Sequence, residues 1–188
     1  MLEGVKDCSE DSIFQHTFRT LQEHHFIQEG YSNDFAHWAF FACNENELAE
    51  RLASVDVREF VSVKTLRTRV IEILEDFLTN HPRVGERTAM EPFYFCSSTS
   101  VVLPTPLVAR NLQEFVDALE SISIHSLYYH FIEARLRLKL TSNDFSVWLE
   151  HEVGLGRAAD LINRIDIYTS TLQGVRHRIL RIVESALA

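Results

Sequence analysis

The chain has 188 residues, which is enough for one domain of ordinary size or for two small domains with a conventional core. Its 27 acidic and 18 basic side chains leave a net charge of −9, which repels phosphate backbones and argues against nucleic acid as a partner. Three cysteines without a CxxC pair, no signal-peptide pattern and no long apolar run predict a reduced, cytoplasmic protein without a membrane span.

Helices dominate the first half of the predicted structure. The first begins with acidic residues in its first turn, and the second opens at the capping sequence Ser32-Asn33-Asp34. An apolar stripe at helical spacing marks the fourth, which starts from a Ser62 cap. The four helices are predicted at about 9–28, 32–44, 47–54 and 62–79.

A polar stretch with Pro82 and Gly85 interrupts the helical pattern and predicts a linker over 81–92. The aromatic and β-branched run that follows predicts a short extended segment near 93–103. We expect Thr105-Pro106 to open the next helix, because proline is tolerated at the first helical position. The last helix is predicted at about 171–187.

The strongest pattern is an internal duplication. Residues 12–16 (SIFQH) match 126–130 (SLYYH), and residues 32–38 (SNDFAHW) match 142–148 (SNDFSVW). Two further blocks follow in the same order, 55–57 with 165–167 and 66–75 with 175–184. We therefore predict an all-α fold of two tandem helical repeats packed as a bundle: 1–80, the linker 81–92, and 93–188. Asn44 and Gly154, at matching places, are expected to end their helices in the left-handed conformation.

The two copies differ at their beginnings. The segment 93–103 precedes only the second copy, and in the alignment of the copies Met1 falls opposite Phe115, inside a predicted helix. The first copy is thus expected to lack the cover of an apolar groove. We considered a truncated copy, a misassigned start, or a neighbouring chain that fills the groove.

The leader with its Leu-Pro-Thr-Pro-Leu-Val-Ala-Arg-Asn-Leu run, the Ser-Leu-Tyr-Tyr-His-Phe block and the Asn-Asp-Phe-x-x-Trp block resemble an uncharacterised family of bacterial proteins of unknown function. The resemblance covers nearly the whole chain. It implies the fold and a link to sugar or glycosyltransferase metabolism, but it assigns no activity and no catalytic residue.

Polar side chains kept in both copies are the candidates for a ligand site. They are His16, His130, Asn33, Asp34, Asn143 and Asp144. If the copies pack about a pseudo-twofold axis, the histidines and aspartates could meet at the junction of the repeats. The plainer interpretation is structural, since Asn-Asp at a helix start is explained by capping and a buried histidine can satisfy backbone groups.

Other chemistries lack a specific signature. His24 and His25 are adjacent and point in different directions, so they do not have the HExxH spacing of a zinc site. Cys96 has no nucleophile elbow around it and is expected to be buried beside Phe93 and Phe95. We therefore predict no catalytic residue, no metal and no cofactor.

The predicted function is that of a non-catalytic interaction or regulatory protein that binds a protein partner or itself. The alternative is a small-molecule or metal-binding protein, or an enzyme, with its site at the junction of the two repeats.

Overall fold

The computed structural model describes residues 1–23, 31–137 and 142–187, and the predicted end of the first helix, near residue 28, lies outside them, as do His24 and His25. These residues are helical or irregular, without a strand, so the all-α prediction is confirmed for the described part of the chain. They form two compact units that divide at Ser100 and Val101.

The described residues of the first unit contain five α-helices. Fully buried side chains from α2, α3 and α5 form its core, which includes Ile13, Phe18, Phe35, Leu66, Ile73 and Phe77. The short α1 packs against α5 and buries Val5 completely. The helices are α1 (Leu2–Asp7), α2 (Glu10–Glu23), α3 (Asp34–Phe41), α4 (Asn46–Ala53) and α5 (Val63–Asn80), with 3₁₀ turns at Val57–Glu59 and Pro82–Val84.

The second unit packs its helices around a comparable core of Leu119, Leu127, Leu149, Ile162 and Ile179. Its second helix changes character along its length, from α7 through a π-helical turn at Tyr129–Glu133 into α8. The helices are α6 (Leu112–Ser121), α7 (Ile124–Tyr128), α8 (Ala134–Arg137), α9 (Asp144–His151), α10 (Gly156–Asn163) and α11 (Leu172–Leu187).

Local sequence signals explain most helix starts. The Ser62 side chain accepts the N–H of Thr65 at 3.2 Å, as expected for the cap of α5. The predicted stripe of this helix is buried along its whole length, at Leu66, Val70, Ile73 and Phe77.

The predicted helix stops are also confirmed. Asn44 has φ +56° and Gly154 has φ +76°, both in the left-handed region. Just beyond each, the chain turns back on its helix, where the Glu45 N–H donates to the Ala39 carbonyl and the Leu155 N–H donates to the Leu149 carbonyl.

The prediction that Thr105-Pro106 opens a helix is wrong, because α6 begins only at Leu112. Asn111 caps it by accepting the Glu114 N–H at 2.9 Å, and the Glu114 carboxylate accepts the Arg110 N–H at 2.8 Å. These bonds satisfy one backbone donor of the first turn and one just before the cap, which Pro106 cannot do, so the cap is preferred over the proline.

Residues 93–100, which were predicted to open the second repeat, group with the first compact unit. The predicted linker is tied to that unit as well. The Met90 N–H donates to the Ala42 carbonyl at 2.8 Å, and the Trp38 indole donates to the Glu91 carbonyl at 2.8 Å. Residues 81–100 therefore fold back along the first unit.

One polar contact recurs in the two units. The Arg67 guanidinium donates to the Cys8 carbonyl at 2.7 Å, just after α1, and the Arg176 guanidinium donates to the Ile122 carbonyl at 2.7 Å, just after α6. The tandem duplication remains a prediction from the aligned blocks. Within the described residues, no helix has the length and apolar character needed to cross a bilayer.

Candidate functional site

Helices α2 and α3 of the first unit are joined by a histidine–aspartate pair. His16 Nδ1 lies 2.9 Å from Asp34 Oδ2, and His16 Nε2 accepts the backbone N–H of Cys96 at 2.8 Å. Because Nε2 is the acceptor, the one proton of a neutral imidazole lies on Nδ1 and is donated to the carboxylate. Both ring nitrogens are thus used within the protein, and the pair carries one negative charge.

Aromatic rings enclose His16. The ring of Phe93 lies 4.7 Å away, that of Phe35 lies 5.7 Å away, and that of Phe95 lies 6.2 Å away and edge-on. Two of the three belong to the segment that follows the predicted linker. The His16 side chain is only 7% exposed, so Phe93–Cys96 acts as its cover.

The second unit holds the same pair in a more open form. His130 Nδ1 lies 2.7 Å from Asp144 Oδ2, and the ring of Phe145 lies 5.6 Å from the imidazole. The His130 side chain is 44% exposed and that of Asp144 is 26% exposed. The aspartate thus orients the imidazole while much of the ring faces solvent.

An aromatic ring packs against the first turns of α3 and of α9, but it comes from a different part of the chain in each unit. Phe115 stacks on Trp148 at 5.2 Å and meets Phe145 edge-on at 5.6 Å. In the first unit Phe93 stacks on Phe35 at 5.3 Å. The groove that sequence alignment left uncovered opposite Phe115 is therefore occupied by the chain's own Phe93.

His130 lies in the π-helical turn Tyr129–Glu133, whereas His16 lies in regular α-helix. A π-turn widens the helix by one residue and is frequently found at functional sites. This local difference gives the second pair an environment that the first does not have.

The two candidate asparagines have structural tasks. Asn33 accepts the Ala36 N–H and donates to the Leu52 carbonyl, and Asn143 accepts the Ser146 N–H and donates to Asn163 Oδ1. Both are buried. Their amides cap α3 and α9 and tie each helix to the next, so the site that we propose leaves them out.

A cleft of about 710 Å³ opens beside the His16–Asp34 pair. Its walls come from α2, from α3 with the residue that follows it, and from residues 90–96, all within the first unit. The lining residues are Gln15, His16, Asp34, His37, Trp38, Phe41, Ala42, Met90, Glu91, Pro92, Phe93, Tyr94 and Cys96.

Most of these lining residues were not among the site residues predicted from the sequence. The prediction was based on polar side chains kept in both copies, and most of the lining residues differ between the copies. The alternation Phe93-Tyr94-Phe95 was the available signal, since in an extended chain neighbouring residues face opposite ways. Tyr94 is indeed 74% exposed while its neighbours are half-buried. Cys96, expected to be buried, is exposed, because its backbone N–H and not its thiol meets the protein.

The site residues fall into pairs within units, His16 with Asp34 and His130 with Asp144. In the part of the chain that the structure describes, no three His, Cys, Asp or Glu side chains are grouped so that they could hold a metal ion. The arrangement offers hydrogen-bond acceptors, aromatic surface and negative charge.

The chain belongs to the "Family of unknown function (DUF5752)", whose model matches residues 1–184. It is also similar to the protein described in "The structure of OrfY from Thermoproteus tenax", with 34% sequence identity and a TM-score of 0.85. That match covers 98% of this chain and 84% of the other. No curated protein matches the chain.

Proposed function

We propose that this member of the DUF5752 family is a non-catalytic interaction protein whose second unit binds an extended, aromatic-containing segment of a partner protein at His130 and Asp144. The observation that carries the proposal is the difference between the two pairs. His16 is covered by Phe93–Cys96, whereas His130 is 44% exposed.

The covered pair supplies the template for the interaction. In the first unit, a segment outside the helices places aromatic rings against the imidazole and donates one backbone N–H to Nε2. Every peptide bond other than that of proline carries such a donor, so the contact suits a polypeptide of varied sequence. The histidine acts in it as a hydrogen-bond acceptor, which requires no reaction.

The open pair is prepared for the same contact. Asp144 lies 2.7 Å from Nδ1, which leaves Nε2 as the acceptor of the neutral imidazole. Phe115 already occupies the position beside Trp148, so the partner needs to bring only a ring like that of Phe95 together with the N–H. Less ordering of the partner is then required than if both rings had to be supplied.

The setting that we propose for this interaction is the bacterial cytoplasm. The three cysteines are free thiols in the structure, which supports a reducing compartment. The sequence resemblance suggests an enzyme of sugar metabolism as the partner, and co-purification from the native host tests that suggestion.

A synthetic peptide with the sequence of residues 91–98, with serine at the cysteine position, is the direct probe. We expect isothermal titration to show binding to the full chain, and the affinity to fall at least about tenfold in His130→Ala, because the acceptor is lost. His151→Ala, at an exposed histidine near the end of α9, is the matched control and should bind normally.

Two outcomes would contradict the proposal. Equal affinity for the wild type and for His130→Ala would show that the peptide binds elsewhere, for example by displacing Phe93–Cys96 from the first unit. Equal affinity for a peptide with alanine at both phenylalanine positions would show that aromatic packing plays no part. Peptide-independent self-association that His130→Ala abolishes would identify a second copy of the chain as the partner.

A further inference from the structure

The cleft of the first unit is lined by charged and aromatic side chains that the covering of His16 does not require. It has a volume of about 710 Å³, within the range of pockets that hold small ligands. It lies in the first unit, whereas the peptide site proposed above is in the second.

The charge of the lining is negative. Asp34 and Glu91 contribute carboxylates, and the lining residues that the structure describes include neither lysine nor arginine. The proton on His16 Nδ1 belongs to a neutral imidazole, because Nε2 accepts the Cys96 N–H, so this pair does not cancel the charge of Asp34. The lining therefore attracts cations and repels phosphates and carboxylates.

Exposed aromatic side chains form much of the wall. Tyr94 is 74% exposed and Phe41 is 54% exposed, and Trp38 lines the cleft beside them. The Phe41 ring is held 4.4 Å from that of His37. Aromatic faces attract ammonium groups through the quadrupole of the ring, and tryptophan and tyrosine do so well.

Two hydrogen-bond donors of the lining have their partners within the protein. Two strong donors are already used, since the Trp38 indole donates to the Glu91 carbonyl and His16 Nδ1 donates to Asp34. An anion needs such donors, whereas a cation is attracted by the negative charge of Asp34 and Glu91.

These observations agree on one class of ligand. We infer that the cleft of the first unit is a binding site for a small organic ammonium cation, which Glu91 and Asp34 attract and which Trp38, Phe41 and Tyr94 surround. The cation contacts the aromatic faces, and an ammonium group that carries N–H donates hydrogen bonds to the carboxylates.

Choline and 1,5-diaminopentane are the probes, and 3,3-dimethylbutan-1-ol is the neutral isostere of choline. We expect both cations to bind to the full chain in isothermal titration, and the isostere to bind at least about tenfold more weakly, because it lacks the charge. In ¹H–¹⁵N spectra the indole signal of Trp38 should shift, while that of Trp148, in the second unit, should stay in place.

Two substitutions test the walls separately. Glu91→Gln removes a charge but keeps the backbone carbonyl that holds Trp38, and Phe41→Ala removes an exposed ring. Each should weaken cation binding about three- to fivefold. Glu86→Gln, at an exposed carboxylate outside the lining, is the matched control and should have no effect.

Equal binding of choline and its isostere would overturn the inference, because the cleft would then be only an apolar groove. A shift of the Trp148 signal instead of the Trp38 signal would place the cation elsewhere. Binding of a lysine-containing peptide without binding of either small cation would also overturn it, in favour of a protein ligand. None of these results depends on His130, so they are independent of the peptide proposal.

Discussion

Each histidine of the two pairs is held by an aspartate through Nδ1, so its Nε2 atom is left to accept a hydrogen bond. The surroundings of Nε2 differ between the units. Cys96 donates to His16 from within the chain, while His130 remains half-exposed. The same two side chains are therefore a structural element in one unit and a candidate binding site in the other.

Replacement of the two histidines by alanine should separate these roles. His16→Ala leaves a space among aromatic rings and the Cys96 N–H without its acceptor, so we expect a loss of about 2–3 kcal/mol in the free energy of unfolding. His130→Ala removes a half-exposed ring and should cost less than about 1 kcal/mol. Urea unfolding followed by circular dichroism measures both, and equal losses would contradict the distinction.

Burial raises the pKa of the Cys43 thiol, and the charge of Glu45 raises it further. Only the thiolate is nucleophilic, so a raised pKa reduces the reactive fraction at pH 8. We expect iodoacetamide to modify Cys43 more slowly in the folded chain than in urea, and faster in Glu45→Gln than in the wild type. Mass spectrometry of the modified peptide provides the rate. Glu47→Gln is the control, and an unchanged rate in Glu45→Gln would show that the charge has no influence.

Among the elements, α1 and the segment 93–96 depend on each other. Gly4 lies where α1 meets Phe95, and a Cβ at this position would overlap the Phe95 ring. An aromatic ring cannot yield as a flexible chain end can. The glycine is thus required by close approach, and it lets α1 and the cover of His16 occupy one side of the unit.

Gly4→Ala should displace Phe95 and loosen the cover of His16. We expect a loss of about 1–3 kcal/mol in the free energy of unfolding, the usual cost of overpacking. Gly156→Ala, where a Cβ would meet nothing within 4 Å, should be neutral or stabilise the protein by up to about 1 kcal/mol. Thermal unfolding of both variants provides the comparison, and an unaffected Gly4→Ala would mean that Phe95 moves freely.

The two arginine contacts fasten the first helix of each unit to its last. Arg176→Ala removes charge-assisted hydrogen bonds to the end of α6, so we expect a loss of about 1.5–3 kcal/mol in stability. Arg178, an exposed neighbour on α11, is the control, and its replacement by alanine should change stability by less than about 0.5 kcal/mol. Similar effects of the two substitutions in urea unfolding would show that the contact contributes little.

For the chain as a whole, the boundary between the units has a direct consequence for truncation. A fragment of residues 1–100 contains α1–α5 and the cover of His16, whereas a fragment of residues 1–80, the predicted first repeat, lacks Phe93 and Phe95. We expect the longer fragment to be helical and cooperatively folded. The shorter one should bind the dye ANS through its uncovered aromatic groove.

Circular dichroism and ANS fluorescence of the two fragments test this expectation, and the full chain is the reference. Equal stability of the two fragments would mean that residues 81–100 contribute no more than a tether. If a peptide of residues 91–98 abolishes ANS binding by the shorter fragment, the cover acts through its contacts and not through its covalent attachment.

Residue order predicted much of the local structure. Caps such as Ser62, the buried stripe of α5 and the left-handed stops at Asn44 and Gly154 were all predictable, because each depends on residues within a turn or two of one another. The start of α6 was misplaced, since a proline was preferred over the Asn111 cap that satisfies more backbone groups.

Contacts between residues far apart in the chain depend on how the helices pack within each unit. Repetition singled out His16, Asp34, His130 and Asp144, and the structure joins them as two His–Asp pairs. Repetition could not tell that one pair would be covered and the other open. That difference arises because Phe93–Cys96 folds back onto the first unit across a long separation in sequence. Neither helical periodicity nor capping reports such a contact, because it depends on the shape of a groove that exists only once the helices have packed.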